Sequence, residues 1–151
     1  ADILLADPAL DVFLTNEEPF DAVTIWLAGS DPKRSQRCQN LSSLRISSAE
    51  HYRLRVQNRG YLLASRVLRS GGWLQIVDRG EAPTEDFLRE DTLTSHREQA
   101  GPAGMEVGEM NYRIYTEPPS GGVGMVASPG SSGRNPKLDQ LAMTSVISRK
   151  P

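Results

Sequence analysis

The sequence of 151 residues is poor in cysteine, histidine and aromatic residues. Cys38 is the single cysteine, so no disulfide can form within the chain. The two histidines, His51 and His96, lie far apart and form no H-x-x-x-H or H-E-x-x-H pair. The sequence also lacks a Walker loop, a G-x-S-x-G elbow and a G-x-G-x-x-G motif after a strand. These absences predict no metal, no other cofactor and no enzymatic activity.

Long apolar runs are absent as well. No segment approaches the roughly 20 consecutive apolar residues that a transmembrane helix requires. The 17 basic and 19 acidic residues are interspersed and give a formal net charge of −2, without the basic stretch typical of nucleic-acid-binding chains. The charge pattern therefore predicts no nucleic-acid partner, and any association with a membrane would have to occur without a helical span.

Arginine, by contrast, is abundant in the middle third of the chain. Two interpretations fit this enrichment: a solvated helix face with an adjoining loop, or a contact patch for an acidic partner or a neighbouring subunit. The candidate interface residues are Arg53, Arg55, Arg59, Arg66 and Arg69.

The segment 61–79 predicts a helix followed by a buried strand. Leu62, Leu63, Val67 and Leu68 fall on one helical face. The Gly71-Gly72 pair stands where a helix C-cap favours a left-handed residue, and the apolar run W-L-Q-I-V follows it as a strand. An alternation of apolar and smaller or polar residues over 20–28 predicts another strand.

The segment 44–60 allows two predictions. Ser47 and Glu50 resemble a capping box, which would begin a helix reaching Ser70. The runs L-R-I and Y-R-L-R-V alternate with period two, and Asn58-Arg59-Gly60 is a turn signal. The alternation favours a hairpin-like pair of strands before a short helix that begins near Tyr61.

The second half of the chain predicts a helix and two strands. Thr84 is a candidate N-cap for a short helix, a strand follows over 105–115, and alternation returns over 138–147. The order of elements predicts an α+β or α/β fold in a single domain, with two short helices packed on one face of a mixed sheet. Residues 1–19 would be an N-terminal extension and 20–151 the domain, with 112–136 as a Gly/Pro-rich extended hairpin or loop.

Three motifs in order resemble the curli-secretion channel family. The first is L-L-A-S-R-V-L-R-S-G-G-W-L-Q-I-V-D-R at 62–79, and the second is M-E-V-G-E-M-N-Y-R-I-Y at 105–115. The third combines S-G-G-V-G at 120–124 with L-D-Q-L-A at 138–142. The chain departs from the family in the proline-rich segment that would match its first hairpin and in the absence of a cysteine at position 1.

The resemblance implies a non-enzymatic, ring-forming component of an outer-membrane secretion or surface-appendage complex. It implies a periplasmic location with outer-membrane association, and partners that are copies of the chain itself and other secretion or appendage proteins. Asn40 and Leu41 would be candidates for a pore constriction. The arginine-rich segment would supply subunit contacts, because a repeated heterologous contact closes a ring.

Two further hypotheses come from other classes of protein. One is a monomeric periplasmic adaptor that binds a protein through the loops at 29–39 and 118–135. The other is an enzyme whose site is assembled from distant residues, namely Cys38, His51 and His96.

Overall fold

The computed structural model describes residues 18–26, 47–116 and 140–151, together with Leu14 alone. These residues form a single α+β domain with a mixed four-stranded sheet and two helices, which confirms the predicted fold class. The elements are β1 (Phe20–Trp26), α1 (Ala49–Val67), β2 (Leu68–Glu81), α2 (Asp86–Ala100), a 3-10 turn (Gly101–Ala103), β3 (Glu106–Tyr115) and β4 (Leu141–Arg149).

The strand order across the sheet is β1-β2-β4-β3. β1 and β2 are parallel, whereas β4 is antiparallel to both of its neighbours. β1, β2 and β3 therefore run in one direction, and β4 is inserted between β2 and β3 in the other. The carboxyl ends of these three strands consequently lie at the same end of the sheet. Ligand sites in parallel sheets usually lie at that end.

The core lies between the sheet and the helices. Leu74 and Ile76 of β2 are almost fully buried, and they belong to one cluster with Tyr61 and Ala64 of α1. Because side chains alternate across a strand, the odd-numbered residues of β2 must point to the other side of the sheet. Burial alternates from Trp73 to Ile76 and separates a helix-covered face from an opposite face, on which Val77 is also buried.

The helix α1 corrects the expectation of a hairpin at 44–60. It runs without interruption from Ala49, and the Ser48 side chain caps it by accepting a hydrogen bond from the backbone N–H of His51 at 3.0 Å. The period-two pattern was misleading because burial of Tyr52 and Gln57 on the helical face outweighs local strand preference. The turn signal ending in Gly60 lies inside this helix.

The glycine pair has a different role from the predicted helix stop. α1 ends at Val67, and Leu68 is already extended. Gly71 and Gly72 lie inside β2, at an irregularity where the pairing with β1 steps from Phe20–Leu68 to Ala22–Trp73. Gly71 has φ +77°, and a Cβ on Gly72 would come within 2.9 Å of the Arg69 carbonyl oxygen. The glycines therefore permit a bulged strand.

The remaining predicted elements shift at their ends. α2 begins at Asp86 with Glu85 rather than Thr84 at the N-cap, and it continues to Ala100, so it is longer than predicted. β3 and β4 confirm the strands expected near 105–115 and 138–147. Of the predicted hairpin 112–136, the first residues belong to β3 and residues 117–136 lie outside the described residues. The loops at 29–39 and 118–135 also lie outside them.

Gly60 marks a close approach between α1 and β1. A Cβ at this position would lie 2.5 Å from Ile25 Cδ1. We expect Gly60→Ala to destabilise the domain by about 1 kcal/mol, because overpacking costs about 1–3 kcal/mol and the helix propensity of alanine returns up to about 1 kcal/mol. Ile25→Val removes the conflicting methyl group, so urea denaturation of both single variants and the double variant should show a favourable coupling. If the two substitutions changed the free energy of unfolding additively, the contact between positions 60 and 25 would be contradicted.

Candidate functional site

The side of the sheet opposite α1 and α2, which we call the open face, carries the candidate site. Its members follow from strand alternation and register. They are Ala22, Thr24, Trp26, Trp73, Gln75, Val77, Arg79, Glu81, Glu106, Asn111, Arg113, Tyr115, Leu141, Met143, Ser145, Ile147 and Arg149.

A depression of about 370 Å³ lies on the open face beside the carboxyl end of β1 and the middle of β2. One row of paired residues crosses all four strands here: Trp26 is opposite Val77, and Ser145 of β4 pairs with both Val77 and Asn111. The Trp26 side chain at the rim is 67% exposed. An exposed tryptophan beside a concave surface offers a ring face to a planar ligand.

Polar groups accompany this aromatic rim. The Gln75 Nε2 group donates a hydrogen bond to Ser145 Oγ at 2.9 Å, which fixes the amide across β2 and β4. Asn111 is exposed and lines the depression together with Gln75. Amides and a hydroxyl provide both donors and acceptors, so the depression can form hydrogen bonds with the edge of a flat heteroaromatic group.

Charge on the open face is mixed. Arg113 lines the depression, and Arg79 and Arg149 lie on the same face. Glu81 and Glu106 lie at its two ends, and the exposed Glu109 lies opposite Ile147 in the irregular part of β3. Cations and carboxylates are therefore close to balance on this face.

Polar side chains are also buried on the helix-covered face. The Tyr61 hydroxyl lies 2.8 Å from His96 Nδ1 and 3.2 Å from Ser148 Oγ. Burial, with a contribution from the nearby Arg53 charge, lowers the pKa of His96 from 6.5 to about 4. Burial also raises the pKa of Tyr61, and the hydrogen bond from Ser148 partly opposes that change. His96 is therefore neutral near pH 7, and its Nδ1 can accept a hydrogen bond from the Tyr61 hydroxyl.

A second set of hydrogen-bonded polar side chains on the helix-covered face is centred on Asp78. Asp78 Oδ2 accepts hydrogen bonds from Arg53 Nη1 and Gln57 Nε2, both at 3.1 Å. Gln57 Oε1 in turn accepts a 3.4 Å bond from Gln99 Nε2. Within the part of the chain that the structure describes, Gln99 Oε1 is buried without a partner. These bonds join α1 and α2 to β2 and explain how the polar groups tolerate burial.

The predicted interface arginines are dispersed. Arg53 pairs with Asp78, whereas Arg69 forms an exposed ion pair with Asp21 of β1. Arg55, Arg59 and Arg66 each have interactions of their own. The two constriction candidates, Asn40 and Leu41, lie outside the described residues.

The hypothetical site of distant residues is not assembled in the described parts. His96 bonds with Tyr61 in the core, whereas His51 Nδ1 lies 3.2 Å from Ser47 Oγ at the start of α1. Cys38 lies outside the described residues. Among residues 18–26, 47–116 and 140–151, no group of three or more potential metal ligands occurs. None of the helices described is both long and apolar enough to span a membrane.

Solved structures with a similar arrangement include two methyltransferases. A candidate DNA modification methylase from Thermus thermophilus is 14% identical, with a TM-score of 0.40, and the match covers 93% of this chain and 49% of that one. A SAM-dependent methyltransferase from Methanosarcina mazei is 11% identical, with a TM-score of 0.41, and the match covers 89% of this chain and 60% of that one. No protein-family model and no curated protein matches. Structural matches with such low sequence identities and TM-scores identify neither a substrate nor a cofactor for this chain.

These findings correct the expectations drawn from the sequence. The resemblance to the curli-secretion channel family is wrong: no family model matches the chain, and the two similar structures described above are methyltransferases. The same finding contradicts a non-enzymatic secretion component, the alternative adaptor, and the exclusion of enzymes. The predicted partners are contradicted as well: nothing supports assembly with copies of the chain, and one of the similar structures is described as a DNA modification methylase. The motif at 62–79 was misleading because its glycines belong to a strand bulge.

Sequence reasoning missed the residues of the open face. The alternation over 20–28 already separates Trp26 and Thr24 from Val23 and Ile25, so a solvent-facing tryptophan could have been inferred. The position of Asn111 beside Ser145 had no comparable signal, because strand order is not encoded in local periodicity.

Proposed function

We propose that this protein binds single-stranded nucleic acid through the open face. The observation that carries the proposal is the 67% exposed Trp26 at the rim of a depression that is also lined by Asn111, Gln75 and Arg113. A base stacked on the indole would place its polar edge toward the Gln75 amide, and the strand would continue across the depression toward Asn111 and the Arg113 guanidinium. This combination of a ring face, hydrogen-bonding groups and a cation suits a nucleic-acid strand.

The sheet provides a physically suitable platform for such a ligand. Aromatic side chains on an exposed sheet face stack unpaired bases, with a contribution of roughly 1–3 kcal/mol per base, and helices behind the sheet keep it rigid. In this protein the described helices lie behind the sheet, where Tyr61 and Ala64 pack on Leu74 and Ile76. Trp26 is thereby held on a strand whose partner, β2, is buried in the core.

Electrostatics should make a smaller contribution than stacking. If all three arginines of the open face contacted phosphates, the dependence of log affinity on log salt concentration would have a slope of about −2 for a single strand. The slope is expected to be shallower than this because Glu81 and Glu106 oppose the arginines. A protein that binds mainly through backbone charge would instead show a much steeper slope.

Trp26→Ala is the most direct test of the proposal. We expect it to weaken binding of a fluorescein-labelled oligo(dT) of about 20 nucleotides by roughly 5- to 150-fold, because one stacking contact of about 1–3 kcal/mol is lost. Fluorescence anisotropy at low salt measures the affinity, and circular dichroism verifies folding. The matched control is Phe87→Ala, which removes an exposed aromatic residue from α2. Absence of binding by the wild-type protein, or equal affinities of the two variants, would refute the proposed function.

A further inference from the structure

The open face carries a second exposed tryptophan, far from the depression. Trp73 is 39% exposed and pairs with Ala22, whereas Trp26 at the opposite end of β1 pairs with Val77. Trp73 and Val77 are four residues apart on β2, so both indoles belong to the same face. At ~3.3 Å per residue, the two tryptophans are separated by about 13 Å along the strands.

This separation is too large for neighbouring stacked bases. Bases along one strand of a duplex rise by about 3.4 Å, so ~13 Å corresponds to about four such steps. A more extended single strand would cover the same distance with fewer nucleotides. The two indoles can therefore stack only bases that are separated by intervening nucleotides.

The surroundings of the two tryptophans differ. Arg149 of β4 pairs directly with Trp73 and, on its other side, with Glu106 of β3. Trp26 lies on one edge strand, and the Arg113 that shares the depression with it lies on the other. The residues between the two tryptophans on β1, β2 and β4, namely Thr24, Gln75 and Ile147, carry no charge. The face thus presents two exposed indoles at its opposite ends.

We infer that the open face is a two-site platform, in which Trp26 and Trp73 each stack one base of the same strand, the two bases being about two to four nucleotides apart. This inference rests on the proposed function and defines the ligand more narrowly. Binding at both sites by one strand makes the second contact intramolecular, so affinity should increase sharply once the ligand spans both tryptophans.

A length series separates the two-site platform from simple binding. The probes are dTMP and oligo(dT) of two to eight nucleotides, titrated against the wild-type protein, Trp26→Ala, Trp73→Ala and the double variant. For the wild type, the affinity should rise by at least about fivefold between two and five nucleotides, as a second stacking contact becomes possible. Trp73→Ala should remove this step, and Trp73→Phe should largely restore it, because phenylalanine keeps a ring on the same face.

The results distinguish failure of this inference from failure of the proposed function. If oligonucleotides bind and Trp26→Ala weakens them, but the affinity rises smoothly with length and Trp73→Ala has no effect, the platform has one site and the inference is wrong. Complete loss of dTMP binding in either single variant would also overturn it, since the remaining tryptophan should still bind a mononucleotide. If no probe binds to the wild type, the proposed function itself fails.

Discussion

Acidification from pH 7 to pH 4 is expected to lower the free energy of unfolding by about 3 kcal/mol through His96 alone. Its pKa is lowered from 6.5 to about 4 in the folded protein, chiefly by burial and further by Arg53. Each pKa unit corresponds to about 1.4 kcal/mol. The side chain is only 7% exposed, so solvent screens little of this effect.

The sign follows from proton linkage. Below pH 6.5 the unfolded chain binds a proton at His96 that the folded protein rejects until the pH approaches 4. The unfolded state therefore gains stability as the pH falls through this interval, and the folded state loses it. Above about pH 7.5 both states hold an almost entirely neutral imidazole, and this residue contributes little pH dependence.

Urea denaturation at pH 7 and at pH 4 measures the effect. His96→Phe retains a ring of similar size but cannot titrate, so its loss of stability on acidification should be smaller than that of the wild type by about 3 kcal/mol. His51→Gln is the matched control, because His51 lies at the first turn of α1 and is less buried. If His96→Phe lost as much stability as the wild type between pH 7 and pH 4, His96 would not be the cause of the acid destabilisation.

Asp78→Ala is expected to destabilise the domain by about 2–4 kcal/mol. Asp78 receives bonds from Arg53 and Gln57 on one carboxylate oxygen, and its other oxygen accepts the Arg79 backbone N–H at 2.8 Å. Its removal leaves the buried Gln57 amide without that acceptor, and an unsatisfied buried polar group costs about 1–3 kcal/mol. Loss of the partly buried ion pair adds to this cost.

Asp21→Ala provides the comparison for this substitution. Asp21 also pairs with an arginine, Arg69, but its side chain is 78% exposed, against 14% for Asp78. Exposed ion pairs contribute between zero and about 1 kcal/mol, so the urea midpoint should change little. Similar losses of stability in the two variants would contradict the structural role assigned to the bonds of Asp78.

The elements that were predicted correctly have strong local patterns. β1 and β4 alternate clearly, and α2 combines an acidic start with an apolar side. The helix over 49–60 was not predicted because its sequence satisfies both a strand and a helix pattern. The packing of Tyr52 and the neighbouring helical turns against the rest of the fold selects the helix.

The candidate site was less predictable than the fold. The tryptophans can be placed on a strand face from alternation, but Asn111 and Ser145 are 34 positions apart in the sequence and become neighbours only through the insertion of β4 beside β3. The wrong family resemblance arose from the same cause. Short motifs reflect local preferences for helix, turn and strand, and such preferences are shared by unrelated folds.

The sequence by itself determined the composition, the strong strand periodicities and the second helix, because these depend on interactions between residues close in the chain. Tertiary structure alone decided three other features: the strand order, the use of Gly71 and Gly72 in a bulge, and the buried neutral state of His96. Each depends on contacts between distant segments, and the free energy of burying apolar surface there exceeds local backbone preferences. The open face with its two tryptophans is the consequence of that packing.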